Sequence, residues 1–431
     1  MSNNYDAIVI GAGAGGLFTA ARLQHQGYKT LVVERLDKVG GRASTTDIDG
    51  FKVNDGAIVI EVGGITQRTC EEVGAPFEIR EPSPPILYRI KGKDVDVTGG
   101  GWGFLLQKLT RQGAKLVGGI GAARKDEGLP EDQMTLQEWV SKYTKNEGVH
   151  GIFRNMAASV FAVGSEDLPA KVFLTYFTRK SAFKRFGFHP EGTIGIWKRL
   201  AEAVERDGGE VRLSTEVERI LVEDGKAVGV VIGGETFTAP VVVSNIGPAA
   251  TLTLLGDADV PAEYADDVKR NDRPTAMITV NFASQERLIE VPGMLLFSKS
   301  RRLCYIANFT DTCPEMAPEG WNLYVGTAVP KPSVGDFDED AEYALLMEDL
   351  RDTIPDFDTR ARILSKVTTR DGWPPQRAVA GFDMSHDTPI AGLWNVGDAV
   401  KEYANGGTTA CAETAEIVVG KIAAAYAPSG S

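Results

Sequence analysis

The spacing of apolar and polar positions is most regular at the start of the chain. Tyr5-Asp6-Ala7-Ile8-Val9-Ile10 is a short, mostly apolar run of the kind that forms a buried strand, and Gly11-Ala12-Gly13-Ala14-Gly15-Gly16 follows it directly. Leu17, Ala20, Ala21 and Leu23 then keep helical spacing up to Gly27, a natural stop, and Thr30-Leu31-Val32-Val33 reads as a second strand that ends on Glu34. Further on, Ile194, Ile196, Trp197, Leu200 and Val204 predict a helix over 193–206, leading into Gly208-Gly209-Glu210-Val211-Arg212-Leu213 and Val217-Glu218-Arg219-Ile220. Val241-Val242-Val243-Ser244-Asn245 is another buried-type strand, and a last helix opens near Asn405 and runs to about Ala425. Between these lie mixed regions. Residues 63–190 read as a strand at Ile86-Leu87-Tyr88-Arg89-Ile90 and helices over 136–143 and 152–161; residues 271–370 read as strands over 276–282, 293–298 and 321–328 around a helix near 341–353.

The order strand, glycines, helix, strand, acid assigns each part of the first unit a task. Gly11 permits the tight turn, Gly13 and Gly15 with Ala14 leave the backbone open to a pyrophosphate, and Gly16 lets helix and strand pack closely. The helix N-terminus offers unpaired N–H groups and the positive end of its dipole, while Glu34 can accept from ribose hydroxyls. The pattern predicts a dinucleotide-binding unit.

Length and charge narrow the rest. A chain of 431 residues is long for one core, so two domains sharing an interface are expected. No apolar run reaches membrane-spanning length, and the start, Met1-Ser2-Asn3-Asn4, lacks the features of a signal peptide, which points to the cytoplasm. The scattered Cys70, Cys304, Cys313 and Cys411 fit reduced thiols, and with four isolated histidines no metal centre is expected. A net charge of −13 argues against nucleic acid and leaves membrane contact at most peripheral, through the basic and aromatic stretch 177–186. A second glycine cluster, Val117-Gly118-Gly119-Ile120-Gly121-Ala122-Ala123, lacks a third glycine and a following helix, and reads as a loop.

Val39-Gly40-Gly41-Arg42 and Val53-Asn54-Asp55-Gly56 follow Glu34 and Arg35 closely. With the first unit they resemble the N-terminal signature of FAD-dependent oxidoreductases of the amine oxidase and phytoene desaturase superfamily. Leu393-Trp394-Asn395-Val396-Gly397-Asp398 and Asn405-Gly406-Gly407-Thr408-Thr409-Ala410 are similar to its C-terminal segment. The resemblance implies an α/β fold: a Rossmann-type FAD-binding domain of the GR2-like flavoprotein kind (residues 1–62, 191–270 and 371–431) with an interleaved α+β substrate-binding cap (63–190 and 271–370). It implies contacts to FAD from Gly11, Gly13, Ala14, Gly15, Gly16, Glu34, Arg35, Gly40, Gly41, Arg42, Asp55, Gly56, Val217, Asn245, Gly397, Asp398, Gly406, Gly407 and Thr408. The last helix would point its N-terminus at the flavin pyrimidine edge, where a positive helix end favours hydride acceptance.

Departures from the pattern point to the branch. Amine oxidases usually carry a lysine just before the strand corresponding to Thr275-Ala276-Met277, and none stands here. Thr193 replaces the second glycine of a Pro-x-Gly-Gly turn, and Val400-Lys401-Glu402-Tyr403-Ala404 replaces a glycine- and proline-rich turn, which argues for a smaller substrate than a carotenoid. The resemblance therefore implies a desaturase-like enzyme that moves hydride from a C–H bond to flavin N5 and forms a C=C bond in a small to medium apolar substrate, with or without a carbonyl. Tyr403 and Trp373 are the candidates for residues over the flavin, with core packing as the plain alternative. Cys411 falls inside the last helix, so FAD is expected without a covalent link, and oxygen or a quinone is the expected electron acceptor. An amine oxidase, with Trp373 and Tyr403 as its aromatic cage, and a flavin-dependent isomerase or saturase remain alternatives.

Overall fold

The computed structural model describes residues 3–96, 119, 120, 122, 129–178 and 185–429. The 117–123 and 177–186 stretches lie largely outside them. The centre of the fold is a parallel sheet, five strands among the described residues, in the order Leu393–Asn395, Val241–Ser244, Ala7–Ile10, Thr30–Val33, Glu210–Arg212. Strands in such a sheet are covered on both faces, which is why they read as unbroken apolar runs. Ala7 and Val9 pack against Leu17, Phe18, Trp197 and Val418 on one side. Ile8 and Ile10 face Ile220, Val230 and Phe237 on the other. The first side is covered by the helices Ala14–His25, Ile194–Arg206 and Gly407–Ala425, the second by an antiparallel ribbon of Arg219–Glu223, Lys226–Ile232 and Glu235–Thr238.

A second sheet, seven strands among the described residues, runs Arg362–Thr369, Met277–Ser284, Asn322–Ala328, Leu303–Asn308, Met294–Phe297, Ile86–Ile90, Lys93–Asp96. Its pairs are antiparallel except Met294–Phe297 on Ile86–Ile90. The period of two decides its faces. Ile278, Val280 and Phe282 meet Leu346 and Leu350 of the helix Glu339–Thr353, while Met277, Tyr305 and Ala307 share a second cluster with Ile152 and Ala158 of the helix Glu147–Phe161.

The predicted elements are present, with informative shifts. The helix expected over 152–161 starts a turn earlier, where the Asn146 side chain accepts from the N–H groups of Gly148 and Val149 at 2.9 and 3.3 Å. Gly148 and Gly151 hide that turn from a reading of apolar spacing. Gly151 is small for a reason: a Cβ there would lie 2.1 Å from the Ser298 carbonyl oxygen. The strand Leu303–Asn308 is buried at every position, so it shows no alternation to read.

Two glycine substitutions separate packing from propensity. A Cβ on Gly16 would sit 2.0 Å from the Gly11 carbonyl oxygen, whereas one on Gly420, within Gly407–Ala425, meets nothing within 4 Å. Gly16→Ala is expected to cost about 1–3 kcal/mol or more, and Gly420→Ala to gain about 0.5–1 kcal/mol. Urea unfolding of the two variants beside the parent chain checks both signs.

Candidate functional site

A cavity of about 990 Å³ lies at the carboxyl ends of the central strands, where Gly11, Glu34 and Asn245 follow Ile10, Val33 and Ser244. This is where open parallel sheets bind ligands. Gly11, Gly13, Ala14 and Gly15 line it, and Gly16 lies beneath, packed on Gly11. The Asn245 side chain fills the hollow of the turn: a Cβ on Gly13 would meet its Nδ2 at 2.7 Å, and one on Gly15 its Oδ1 at 2.6 Å. The helix Ala14–His25 begins at Gly13 without a side-chain cap, leaving its first N–H groups at the cavity. Glu34 braces the turn, accepting from Ala12 N at 2.7 Å and Leu36 N at 2.9 Å, and each oxygen keeps further acceptor capacity. Arg35 and Val217 line the same end.

Gly40, Gly41 and Arg42 form the next stretch of wall. Gly40 has φ of 96°, its N–H reaches the Ala12 carbonyl at 2.8 Å, and a Cβ would strike Trp197 Cδ1 at 2.4 Å. Trp197 in turn donates from Nε1 to the Ala43 carbonyl at 2.6 Å, tying the helix Ile194–Arg206 to this segment. Thr193 does the same: its hydroxyl donates to the Ala43 carbonyl at 2.7 Å and its N–H to Asn54 Oδ1 at 3.0 Å. Thr193, where the resemblance has a glycine, thus anchors this wall. Asp55 lines the cavity but is paired with Lys38 at 2.7 Å, and Gly56 is closed in by the Arg42 carbonyl, 2.3 Å from any Cβ.

The electrostatic centre is Asp398. Arg42 grips it with both Nη atoms, and Nη1 also reaches the Pro374 and Pro375 carbonyls at 3.0 and 3.2 Å. Both Nη groups of Arg42 are thus engaged by protein acceptors. Asp398 further accepts from Arg377 N at 2.6 Å. Burial alone would raise its carboxyl, but Arg42, Arg377 and Lys401 together hold it well below the carboxylate range. Lys401 is buried, bonded to Asp383 and to the Asp398 carbonyl at 2.7 Å. Gly397, with φ of 102°, lies outside the cavity wall and brings its backbone within 3.0 Å of where a Gly15 Cβ would be.

At the far end, Gly406, Gly407 and Thr408 line the cavity, and Gly406 caps Gly407–Ala425 with no side-chain hydrogen bond, so a second set of helix N–H groups faces inward. Thr409, in its first turn, donates to the half-buried Glu61 at 3.0 Å. Burial pushes the Glu61 carboxyl up, and the Thr409 bond draws it part-way back. Around them Ile58, Val59, Ala158, Val160, Met277 and Tyr305 make an apolar chamber. The two residues expected over a flavin are not brought together there. Tyr403 lies outside the cavity, 40% exposed; in that turn Glu402 faces the cavity while Lys401 is buried against Asp383. Trp373 lines the cavity on the Arg35 side, with that guanidinium 5.8 Å from its ring, at the nucleotide end. Reading the sequence missed Glu61 and Arg377; the available signals were an acid among apolar residues in Ile60-Glu61-Val62 and an arginine after Pro374-Pro375.

The family description "flavin containing amine oxidoreductase" matches residues 14–415. The chain belongs to this family. Among relatives of this flavin oxidoreductase, a neurosporene-forming phytoene desaturase of Rhodobacter capsulatus is 30% identical over 281 residues, 58% of this chain and 54% of that one. The chain thus matches about half the length of that relative. An oxidoreductase from Methanosarcina mazei superposes with a TM-score of 0.87 at 28% identity, covering 96% of this chain and 99% of its own. Wild-type putrescine oxidase bound to putrescine superposes with a TM-score of 0.69 at 15% identity, over 98% and 99%, a likeness of fold alone. The residues of this flavin oxidoreductase fit the cofactor of its family: two uncapped helix starts face the cavity, a glycine turn has no room for side chains, and buried Arg377 Nε and Gln376 Oε1 lack partners among the described residues.

Asp398→Asn removes the anion between buried cations and is expected to cost the apoprotein on the order of 3–5 kcal/mol. The wild-type carboxyl is depressed, so its contribution is complete above the ordinary carboxylate range and is lost only as pH falls through the lowered value. Urea unfolding against pH should show a gap at neutrality that closes only in strong acid.

Proposed function

We propose that this flavin oxidoreductase holds FAD without a covalent bond and takes hydride and proton from adjacent carbons of a small to medium apolar substrate, with or without a carbonyl, forming a C=C bond. The observation that carries this reading is the apolar chamber of Ile58, Val59, Ala158, Val160, Met277 and Tyr305 beside Glu61 and Thr409. Bound FAD supplies the two-electron acceptor, and oxygen or a quinone restores it. The chain aligns the substrate and excludes water. Glu61 takes the proton, its carboxyl shifted toward the working pH by burial. The Cys411 thiol, pushed up to about 12 first by burial, is a poor nucleophile, which supports non-covalent binding. We place the cofactor frame in residues 1–62, 191–270 and 371–431 and the cap in 63–190 and 271–370. Amine oxidation is the second reading, favoured by the carboxyls Glu61, Glu402 and Glu413 along the cavity, which suit a cation. A flavin-dependent isomerase or saturase would use the same chamber with the cofactor reduced.

Anaerobic bleaching of the flavin absorbance by a panel of cyclic ketones, polyenes and amines tests this. A ketone or polyene is expected to bleach it; bleaching by amines alone would sink the desaturase reading. With the active substrate, the rate should rise with pH through a transition above the ordinary glutamate range, because only ionised Glu61 accepts a proton. Glu61→Gln should keep its flavin, lose that transition and slow reduction by roughly 10²–10⁴-fold.

A further inference from the structure

Arg377 lies between the strand Arg362–Thr369 and the strand Leu393–Asn395, and its side chain lines the cavity. Its place is set at both ends. The backbone N–H donates to Asp398 at 2.6 Å, and the stem crosses Gly247, where a Cβ would come 2.6 Å from Arg377 Cδ. The head is left without an anion. Nε is buried with no hydrogen-bond partner, and among the described residues no carboxylate forms an ion pair with this guanidinium. Of the two carboxylates whose charge reaches it, Asp398 is committed to Arg42, and Asp272 lies beyond ion-pair distance. A guanidinium that lines the cavity with its Nε enclosed and unsatisfied among the described residues calls for an acceptor from outside the chain. Burial first, and the charge of Arg42 second, push it down to about 10, against the pull of Asp398.

We propose that Arg377 is the cation that binds the diphosphate of the cofactor, and that Arg42 is a positioning residue that holds Asp398 in place. The assignment rests on the reading that FAD fills this cavity. The glycine turn meets the same diphosphate with backbone N–H groups, so Arg377 supplies the charge that the turn lacks. Asn245 and Ile246 line the cavity between them.

Titration of the apoprotein with FAD, followed by flavin fluorescence, and the ³¹P spectrum of bound FAD test this together. Arg377→Gln should weaken FAD on the order of 30-fold or more. Arg377→Lys, which keeps the charge but not the planar fork, should recover part of that and shift the ³¹P resonances from their wild-type positions. ADP should show the same order of affinities, which separates a diphosphate contact from one to the flavin ring or to an anionic substrate. Affinities for FAD and ADP within about twofold of wild type in both variants, with an unchanged ³¹P spectrum, would overturn the assignment. If Arg377→Gln does not fold, the lysine variant and the ³¹P shift still decide it. A wild-type protein that binds no FAD would instead bring down the functional reading itself.

Discussion

The site depends on a steric constraint: three pieces of backbone meet where no side chain fits. Gly16 packs on the carbonyl of Gly11, Gly15 on Gly397, and the amide of Asn245 closes the remaining hollow against Gly13 and Gly15. Residues from the start, middle and end of the chain are thereby held within van der Waals contact at one edge of one sheet. A methyl group at Gly13 or Gly15 would push apart segments that are remote in sequence, so the constraint acts on topology as much as on ligand binding.

Electrostatics builds on that packing. Arg42 and Arg377 of the cavity wall gather with the buried Lys401 around Asp398, and Arg377 forms no ion pair among the described residues. At the opposite end the wall is apolar and carries Glu61 under the hydroxyl of Thr409. One trough therefore carries arginines and helix N–H donors at one end and apolar residues with carboxyls at the other.

The β-α-β unit and its glycines were legible because each rests on local chemistry: a buried parallel strand is an apolar run, and a turn against a helix needs glycine. The long helix Glu339–Thr353 and the strand Met277–Ser284 were legible for the same reason, by period. What escaped depends on distant partners. Leu303–Asn308 is a strand because neighbours cover both its faces. The Glu61 carboxyl rises because the fold buries it, and it is drawn part-way back by Thr409, 348 positions away. Arg42 stood out through the family resemblance, and its pairing with Asp398, 356 positions on, was not legible. Tyr403 and Trp373 drew attention as aromatics, and aromatic character alone carries no information about which way a turn faces.

The order of strands in the central sheet has a consequence for synthesis. Val241–Ser244 pairs with Ala7–Ile10 on one side and with Leu393–Asn395 on the other. During translation the first of these partners is available early and the other only near the end, so while residues 245–392 are added Val241–Ser244 is an exposed edge of four apolar and hydroxyl residues. Asp398 and the helix Gly407–Ala425 emerge later still. Loading of the cofactor is thus a late event on the ribosome or a post-translational one, and the unfinished sheet is the stage at which this chain most needs protection from aggregation.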